Sequence, residues 1–207
     1  MKKLSLRIAI ALFTFFIGVG AAGLWTTRYY VPNKVVQNQV DCIPKYHPVS
    51  STSTNDDWNA VLDRFEEMRL EKMPGCVDES YRLIWIPTFH SPVAARIWRS
   101  GEKQFLVTKQ LSGRGGYGMG QLAIQDIRPI NDDEWNEFMR LLRQSGYWDL
   151  PSQDDSFPPE DGAAWVIEGF RNGKHHVVNR RSPSPVFREA CVYLVKLSGL
   201  KTGIERY

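Results

Sequence analysis

Glu168, His175 and Asn179 are the residues whose types and spacing most clearly favour ligand chemistry. They lie on either side of the dipeptide Asn172-Gly173, which favours a two-residue type I′ turn because both of its residues tolerate a positive φ angle. In the hairpin that this turn predicts, the three side chains share one side of the sheet. A carboxylate, a titratable imidazole and an amide would together form the polar floor of a binding site.

The same turn predicts which residues face each other across the hairpin. It pairs Arg171 with Lys174, Phe170 with His175, Glu168 with Val177, Val166 with Asn179 and Trp165 with Arg180. The side with Trp165, Ile167 and Val178 is apolar and is expected to face the core. The polar side is interpreted as a solvent-facing sheet surface, which is usual for antiparallel sheets, or as a ligand site covered by the loop Gly113–Gly120. Glu168→Gln is then expected to change the free energy of unfolding by no more than about 0.5 kcal/mol.

A second stretch, from Leu111 to Leu122, holds five glycines and a G-x-G-x-x-G arrangement. Backbone N–H groups of such a loop can bind phosphates, but the dinucleotide fingerprint must follow a strand and open a helix. Here both flanking segments have strand composition. A kinase loop does lie between strands, yet Gln125 stands where a lysine is needed and no H-R-D or D-F-G follows. We therefore expect a hairpin loop, with no nucleotide and no other cofactor.

The remaining residues predict no metal site. The chain lacks the G-x-S-x-G and H-E-x-x-H motifs, which mark serine hydrolases and zinc proteases. Its four histidines are scattered, except for the neighbours His175 and His176. Since neighbouring strand residues point to opposite faces, these two cannot share one metal ion without distortion.

Composition and charge place the chain among ordinary globular proteins. It has 207 residues, of which 43% are hydrophobic and 24% charged, and a formal net charge of +3. Four of its basic residues belong to the first 30 residues, which contain no acid, so the remainder is close to neutral. Because no basic tract is present, nucleic acid is excluded as an expected partner.

The first 30 residues predict a signal peptide or a signal anchor. Lys2, Lys3 and Arg7 precede an uncharged and almost wholly apolar run, Ile8 to Trp25. As a helix this run would cover about 27 Å, which is close to the thickness of a hydrocarbon core. We therefore favour an uncleaved anchor, because the apolar region of a cleaved signal is usually shorter.

The charges before the apolar run place the N-terminus in the cytoplasm and the later residues outside it. The expected location is a membrane-anchored periplasmic or extracellular domain, with secretion after cleavage near Ala22 as the alternative. The expected partners are the membrane, through the N-terminal helix, and an envelope protein or a polar ligand.

Residues 31–55 predict a linker and residues 56–207 a single domain. The linker is rich in Pro, Asn, Ser and Thr and has no periodicity. The domain begins with a helix whose apolar stripe includes Trp58 and Met68 and which is expected to end at M-P-G, residues 73–75. Strands are predicted at 81–87, 93–99 and 104–111, and the segment from Gly120 to Ile130 predicts a fourth.

Two helices and the hairpin complete the predicted domain. Asn131 and Glu134 are spaced as a capping box at the start of one helix, and Ser184 followed by Pro185 starts the other. The predicted order is α-β-β-β-β-α-β-β-α. It indicates an α+β fold with an antiparallel sheet of about six strands and packed helices.

The cysteines predict one disulfide. Cys42 and Cys76 flank the first predicted helix, whereas Cys191 lies on the apolar stripe of the last one. A buried free thiol is common at such a position. In an oxidising compartment we therefore expect a bond between Cys42 and Cys76.

The segments "GGYGMGQL", "DEWNEFMRLL", "YWDLP", "DGAAWVIEG" and "HHVVNRRSP" occur in this order. Their succession resembles a family of uncharacterised bacterial proteins that are often exported or membrane-anchored. The resemblance covers most of the chain from Tyr81 to Leu200 and implies that this part forms one domain. It carries over no activity and no functional residue. At Arg181 the chain departs from the family's pattern, which has tryptophan there.

Three classes of function fit these observations. We favour a non-enzymatic extracytoplasmic domain that binds a protein partner or a polar ligand, because the chain is neutral, anchored and poor in catalytic motifs. The alternatives are an envelope hydrolase or transferase that uses Glu168 or Asp161 as an acid or base, and a structural or assembly module. A concave pocket around Glu168 would favour catalysis, and a flat apolar patch would favour a protein partner.

Overall fold

The computed structural model of this protein describes residues 28–29, 56–153 and 162–207. Its helices are α1 (Asp56–Arg64), α2 (Asp132–Gln144) and α3 (Pro185–Leu197). Its strands are β1 (Arg28–Tyr29), β2 (Glu79–Pro87), β3 (Val93–Ser100), β4 (Lys103–Leu111), β5 (Leu122–Ile130), β6 (Ala163–Arg171) and β7 (Lys174–Arg180). Short 3₁₀ turns occupy Leu70–Lys72, Tyr147–Asp149 and Ile204–Arg206. From α1 onward the order of helices and strands is the predicted one.

The strands form one sheet in the order β1-β5-β4-β3-β2-β6-β7. Strands β2 to β7 pair with one another in antiparallel fashion, so the expected α+β arrangement of six antiparallel strands and helices is confirmed. The two-residue β1 was not predicted. It pairs in parallel with Ile124 and Gln125 of β5, because the open edge of β5 offers unpaired backbone groups that local sequence patterns do not reveal.

The predicted signal or anchor, apart from residues 28–29, and the predicted linker lie outside the described residues. Within the described part of the chain, no helix combines the length and the apolar character that a membrane crossing requires.

The hairpin of β6 and β7 has the predicted turn and register. Asn172 and Gly173 have φ angles of 51° and 72°, as a type I′ turn requires. The pairing follows the predicted register from Arg171 opposite Lys174 to Trp165 opposite Arg180. Because the register decides which side chains share a face, the placement of Glu168 and His175 on one side follows from the turn.

The first face of the sheet carries the main core. Helices α2 and α3 cover it and bury a large apolar cluster with Trp85, Trp135 and Trp165. The capping box of α2 is present, since Glu134 N donates to Asn131 Oδ1 over 2.8 Å and Asn131 N donates to Glu134 Oε2 over 3.0 Å. The apolar side predicted for the hairpin therefore faces the core, as expected.

Much of the second face of the sheet is also covered. The interpretation of the polar side of the hairpin as a solvent-facing surface is wrong for Glu168, which is buried, whereas His175 remains exposed. Helix α1 ends at Arg64, well before the predicted end, because Glu66 adopts a φ of 51° that breaks the helix. Residues 65–77 then cross the sheet and bury Phe65, Met68 and Val77 against it. The polar side of the hairpin is thus partly enclosed, and Glu168 on this side is buried.

The glycine-rich stretch joins β4 to β5, so its prediction as a hairpin loop is confirmed. Its Met119 packs against the apolar cluster with Val166 on the same face as Glu168, but no described hydrogen bond joins the loop to Glu168 itself. Gly115 N donates to His90 O over 3.3 Å, and Gly116 N donates to Thr88 O over 3.0 Å. The loop therefore packs beyond the end of β2, five residues and more from Arg82, which pairs with Glu168.

Candidate functional site

Five charged residues meet in the middle of the second face, and we call them the buried ionic cluster. Its members are Glu67, Arg82, Arg96, Lys109 and Glu168, and none of them is more than 5% exposed. They come from the segment after α1 and from β2, β3, β4 and β6. Apolar clusters that include Leu62 and Trp98 lie on the same face. A charge in such surroundings is costly unless oppositely charged groups compensate it.

Glu67 is the centre of the cluster. Its Oε2 accepts from Arg82 Nη1 over 3.1 Å and from Arg96 Nε over 2.8 Å. Lys109 Nζ lies 2.9 Å from its Oε1. Burial alone raises the pKa of Glu67, but Arg96, Lys109 and Arg82 together outweigh burial and hold this pKa well below its usual range. The carboxylate is therefore ionised in the folded protein at neutral pH.

Glu168 extends the cluster toward the surface. One of its carboxylate oxygens accepts from Arg82 Nη2, and the other lies 2.8 Å from His175 Nε2. Burial raises the pKa of Glu168, but Arg82 and His175 lower it further than burial raises it. The hydrogen bond with Glu168 in turn raises the pKa of His175, against the opposing effect of burial. Glu168 thus links the exposed His175 to the buried Arg82.

The structure places the three predicted binding residues differently. Glu168 and His175 are in contact, as their diagonal placement predicted, but Glu168 is only 2% exposed and is committed to an ion pair. Asn179 lies four residues farther along β7, where it pairs with Val166 and its backbone N donates to Ser152 O over 2.8 Å. No contact of Asn179 with either residue is present among the described hydrogen bonds. A binding role for the three residues together stays a prediction.

Because Glu168 is buried, its substitution should have a large effect on stability and not the small one that the sequence predicts. Glu168→Gln should lower the free energy of unfolding by about 2–3 kcal/mol, because Arg82 would lose one of its two carboxylate partners inside the protein. Urea titration of the full chain measures this loss. Glu71→Gln, an exposed position beside His175, is the control and should stay within about 0.5 kcal/mol. A loss equally small for Glu168→Gln would contradict the structural role.

One group of possible metal ligands is present among the described residues. Ligand atoms of Glu71, Glu168 and His175 lie within 4.8 Å of one another. Arg82 holds one oxygen of Glu168 and His175 engages the other, so a cation would have to displace an existing partner of this carboxylate. The geometry is that of an ion-pair chain, and the expectation that the protein binds no metal stays a prediction.

The buried cations of the cluster were not identified as site residues from the sequence. Arg82 and Arg96 each stand inside a strand among hydrophobic residues, and Lys109 lies in a strand shortly after the apolar run of residues 105–107. A charged residue in the middle of a strand that is otherwise apolar indicates a buried partner. This signal was available, but the sequence does not reveal that the partner is Glu67, a residue from outside the sheet.

A separate cavity lies at the other end of the hairpin, and we call it the arginine cavity. It has a volume of about 720 Å³. Its lining comes from the turn after β2, the start of β6, the chain after β7, α3 and the last residues of the protein. These residues are Phe89, His90, Gly162, Ala163, Trp165, Arg181, Ser182, Pro183, Arg188, Arg206 and Tyr207. Three of them are arginines, and none of these described lining side chains is acidic.

Contacts within the wall hold the aromatic and cationic groups in place. The Arg188 guanidinium lies 5.5 Å from the ring centroid of the buried Trp165, and its Nη2 donates to Ile204 O over 3.0 Å. His90 Nδ1 lies 3.1 Å from Tyr207 Oη. Arg181 and Arg206 are exposed. The cavity therefore combines a fixed cation on an indole with two cations that an entering anion can reach.

The structure describes two of the three cysteines, Cys76 and Cys191. Cys76 is disulfide-bonded, whereas Cys191 is free and buried on α3. Burial raises the pKa of the Cys191 thiol, so this thiol is protonated and inert. Cys42 lies outside the described residues, and its pairing with Cys76 stays a prediction.

No family model matches this chain, and no curated protein matches it. Its function must therefore be argued from the geometry of its sites.

Proposed function

We propose that this protein is an extracytoplasmic binding domain whose ligand is a small organic anion held in the arginine cavity. The observation that carries the proposal is a cavity of about 720 Å³ whose described lining residues include three arginines and no acidic side chain. Guanidinium groups bind carboxylate and phosphate through paired N–H donors. The volume is typical of small-molecule sites, which are usually concave and partly apolar.

The apolar part of the wall indicates the character of the rest of the ligand. Trp165, Ala163 and Pro183 line the same space as the arginines. A bare inorganic anion would leave these surfaces in contact with water. An anion that carries an apolar group would bury them and would gain the hydrophobic free energy of doing so.

The disulfide supports a location outside the cytoplasm. Cys76 is disulfide-bonded, and structural disulfides persist in oxidising compartments but are rare in the cytosol. This agrees with an export signal or a membrane anchor at the N-terminus, which remains part of the proposal.

Acid-base catalysis by Glu168 has less support. Arg82 and His175 lower the pKa of Glu168, whereas a carboxylic acid that donates a proton near neutral pH needs a raised pKa. Glu168 also does not line the arginine cavity. Asp161, the other carboxylate considered, lies outside the described residues.

The proposal is tested by titrating the full chain, in detergent, with 1-naphthyl phosphate in a calorimeter. The double variant Arg181→Gln/Arg206→Gln should bind this probe at least tenfold more weakly, because it lacks two of the three guanidinium groups. Both residues are exposed, so the fold should tolerate the change.

The matched control is Arg140→Gln/Arg143→Gln, which removes the same charge from the exposed surface of α2. This control should bind the probe within twofold of the unmodified protein. Failure of the unmodified protein to bind the probe, or equal weakening in both double variants, would overturn the proposed function.

A further inference from the structure

The glycine loop holds Tyr117 beside the arginine cavity. The loop is bonded to the turn that follows β2 through Gly115 N to His90 O and Gly116 N to Thr88 O. Within the loop, Arg114 N donates to Gly118 O and Gly118 N donates to Arg114 O, both over 2.9 Å. These bonds close a tight turn with Tyr117 at its tip.

The close approach of the two turns explains the glycines. A Cβ atom at Gly115 would collide with Pro87 O, and one at Gly116 would lie 2.7 Å from Thr88 Cγ2. At Gly113 it would collide with the backbone across the loop. Side chains at these positions would push the loop away from the turn after β2. The glycines therefore serve to place Tyr117 next to Phe89.

Phe89 and Tyr117 form an exposed aromatic pair at the mouth of the cavity. Their ring centroids are 6.0 Å apart, yet Phe89 remains 44% exposed and Tyr117 76% exposed. Phe89 also lines the arginine cavity, so the pair and the cavity form one continuous surface. Large exposed aromatic side chains beside a cavity are typical of ligand-contacting surfaces.

We propose that Phe89 and Tyr117 are the second half of the ligand site and bind a planar aromatic ring of the ligand, while the arginines bind its anionic group. This inference rests on the proposed function and names the ligand class as an aromatic anion. Tyrosine and phenylalanine rings contact another ring by offset or edge-to-face stacking. The open face of Tyr117 leaves room for such a contact.

The test compares 1-naphthyl phosphate with inorganic phosphate, each titrated into the full chain. Tyr117→Ala should weaken the binding of 1-naphthyl phosphate about tenfold, as expected for the loss of one ring contact. Binding of inorganic phosphate should stay within twofold. Ile124→Ala, which truncates another exposed apolar side chain, is the control and should change neither affinity.

The possible outcomes separate this inference from the proposed function. If the Arg181/Arg206 variant weakens 1-naphthyl phosphate but Tyr117→Ala does not, the aromatic contact is refuted while the arginine cavity stands. If neither variant has an effect, the proposed function is refuted, and the aromatic contact that rests on it is refuted as well. Glucose 1-phosphate that binds as tightly as 1-naphthyl phosphate would overturn the assignment of an aromatic ring.

Discussion

Glu67→Gln should lower the free energy of unfolding by about 3–5 kcal/mol, the effect usual when one partner of a buried ion pair is removed. Glu67 is 1% exposed and contacts three cations, Arg82, Arg96 and Lys109. With a neutral glutamine in place of Glu67, the cluster would keep only one carboxylate, Glu168, for its three buried cations. The free-energy cost of removing these cations from water would then no longer be compensated. Urea denaturation followed by tryptophan fluorescence measures the loss.

The control for this variant is its neighbour, Glu66→Gln. Glu66 is exposed, although its backbone carbonyl accepts from Lys109 Nζ over 2.7 Å. Since glutamine keeps that carbonyl, the control should change the stability by less than about 0.5 kcal/mol. Equal effects of the two variants would show that the charge of Glu67 does not hold the cluster together.

The effect of Glu67 should also depend on pH in a defined direction. Its folded-state pKa lies below the ordinary value of 4.5, so its stabilising contribution is fully present above about pH 4.5 and is lost as the pH falls toward the folded-state pKa. The difference in stability between the unmodified protein and Glu67→Gln should therefore shrink in acid.

The second large effect concerns the disulfide of Cys76. If its partner is Cys42, the bond closes a loop of about 35 residues, and its loss should cost about 3–4 kcal/mol on the chain-entropy model. Cys76→Ser should show this loss, and a reducing agent should lower the melting temperature of the unmodified protein but not that of the variant. Thiol counting under denaturing, non-reducing conditions should find one free thiol, and three free thiols would refute the pairing.

The disulfide and the ionic cluster act on the same part of the fold. Cys76 lies at the end of the segment 65–77 that crosses the second face, and its carbonyl accepts from Ser100 Oγ over 2.7 Å. The same segment supplies Glu67. Loss of either the disulfide or the Glu67 charge should therefore loosen this segment, and amide hydrogen exchange at Leu70 and Val77 should increase in both variants.

Local features of the sequence determined the elements and several of their ends. Asn131 and Glu134 specify the start of α2, and Ser184 with Pro185 specifies the start of α3. Asn172-Gly173 determined the turn and, through it, the register of the hairpin. These predictions succeed because caps and two-residue turns depend on hydrogen bonds and φ angles within a few residues.

Only the tertiary structure decided what covers each face of the sheet. The register placed Glu168 and His175 on one side, but alternation along a strand does not reveal whether another segment packs over that side. Helix α1 stops at Arg64, and the chain after it buries Glu168 beneath Glu67 and its cations. A position that the sequence pattern indicates as surface became part of the interior.

The arginine cavity is a second feature that could not be predicted from the sequence. Arg181, Arg188 and Arg206 have no shared motif, and Phe89 lies about a hundred residues before them. Their proximity results from the pairing of β2 with β6 and from the packing of α3 on the sheet. The sequence determined the chemistry of each side chain, whereas long-range packing decided which of them meet, because contacts between distant segments leave no local periodicity to read.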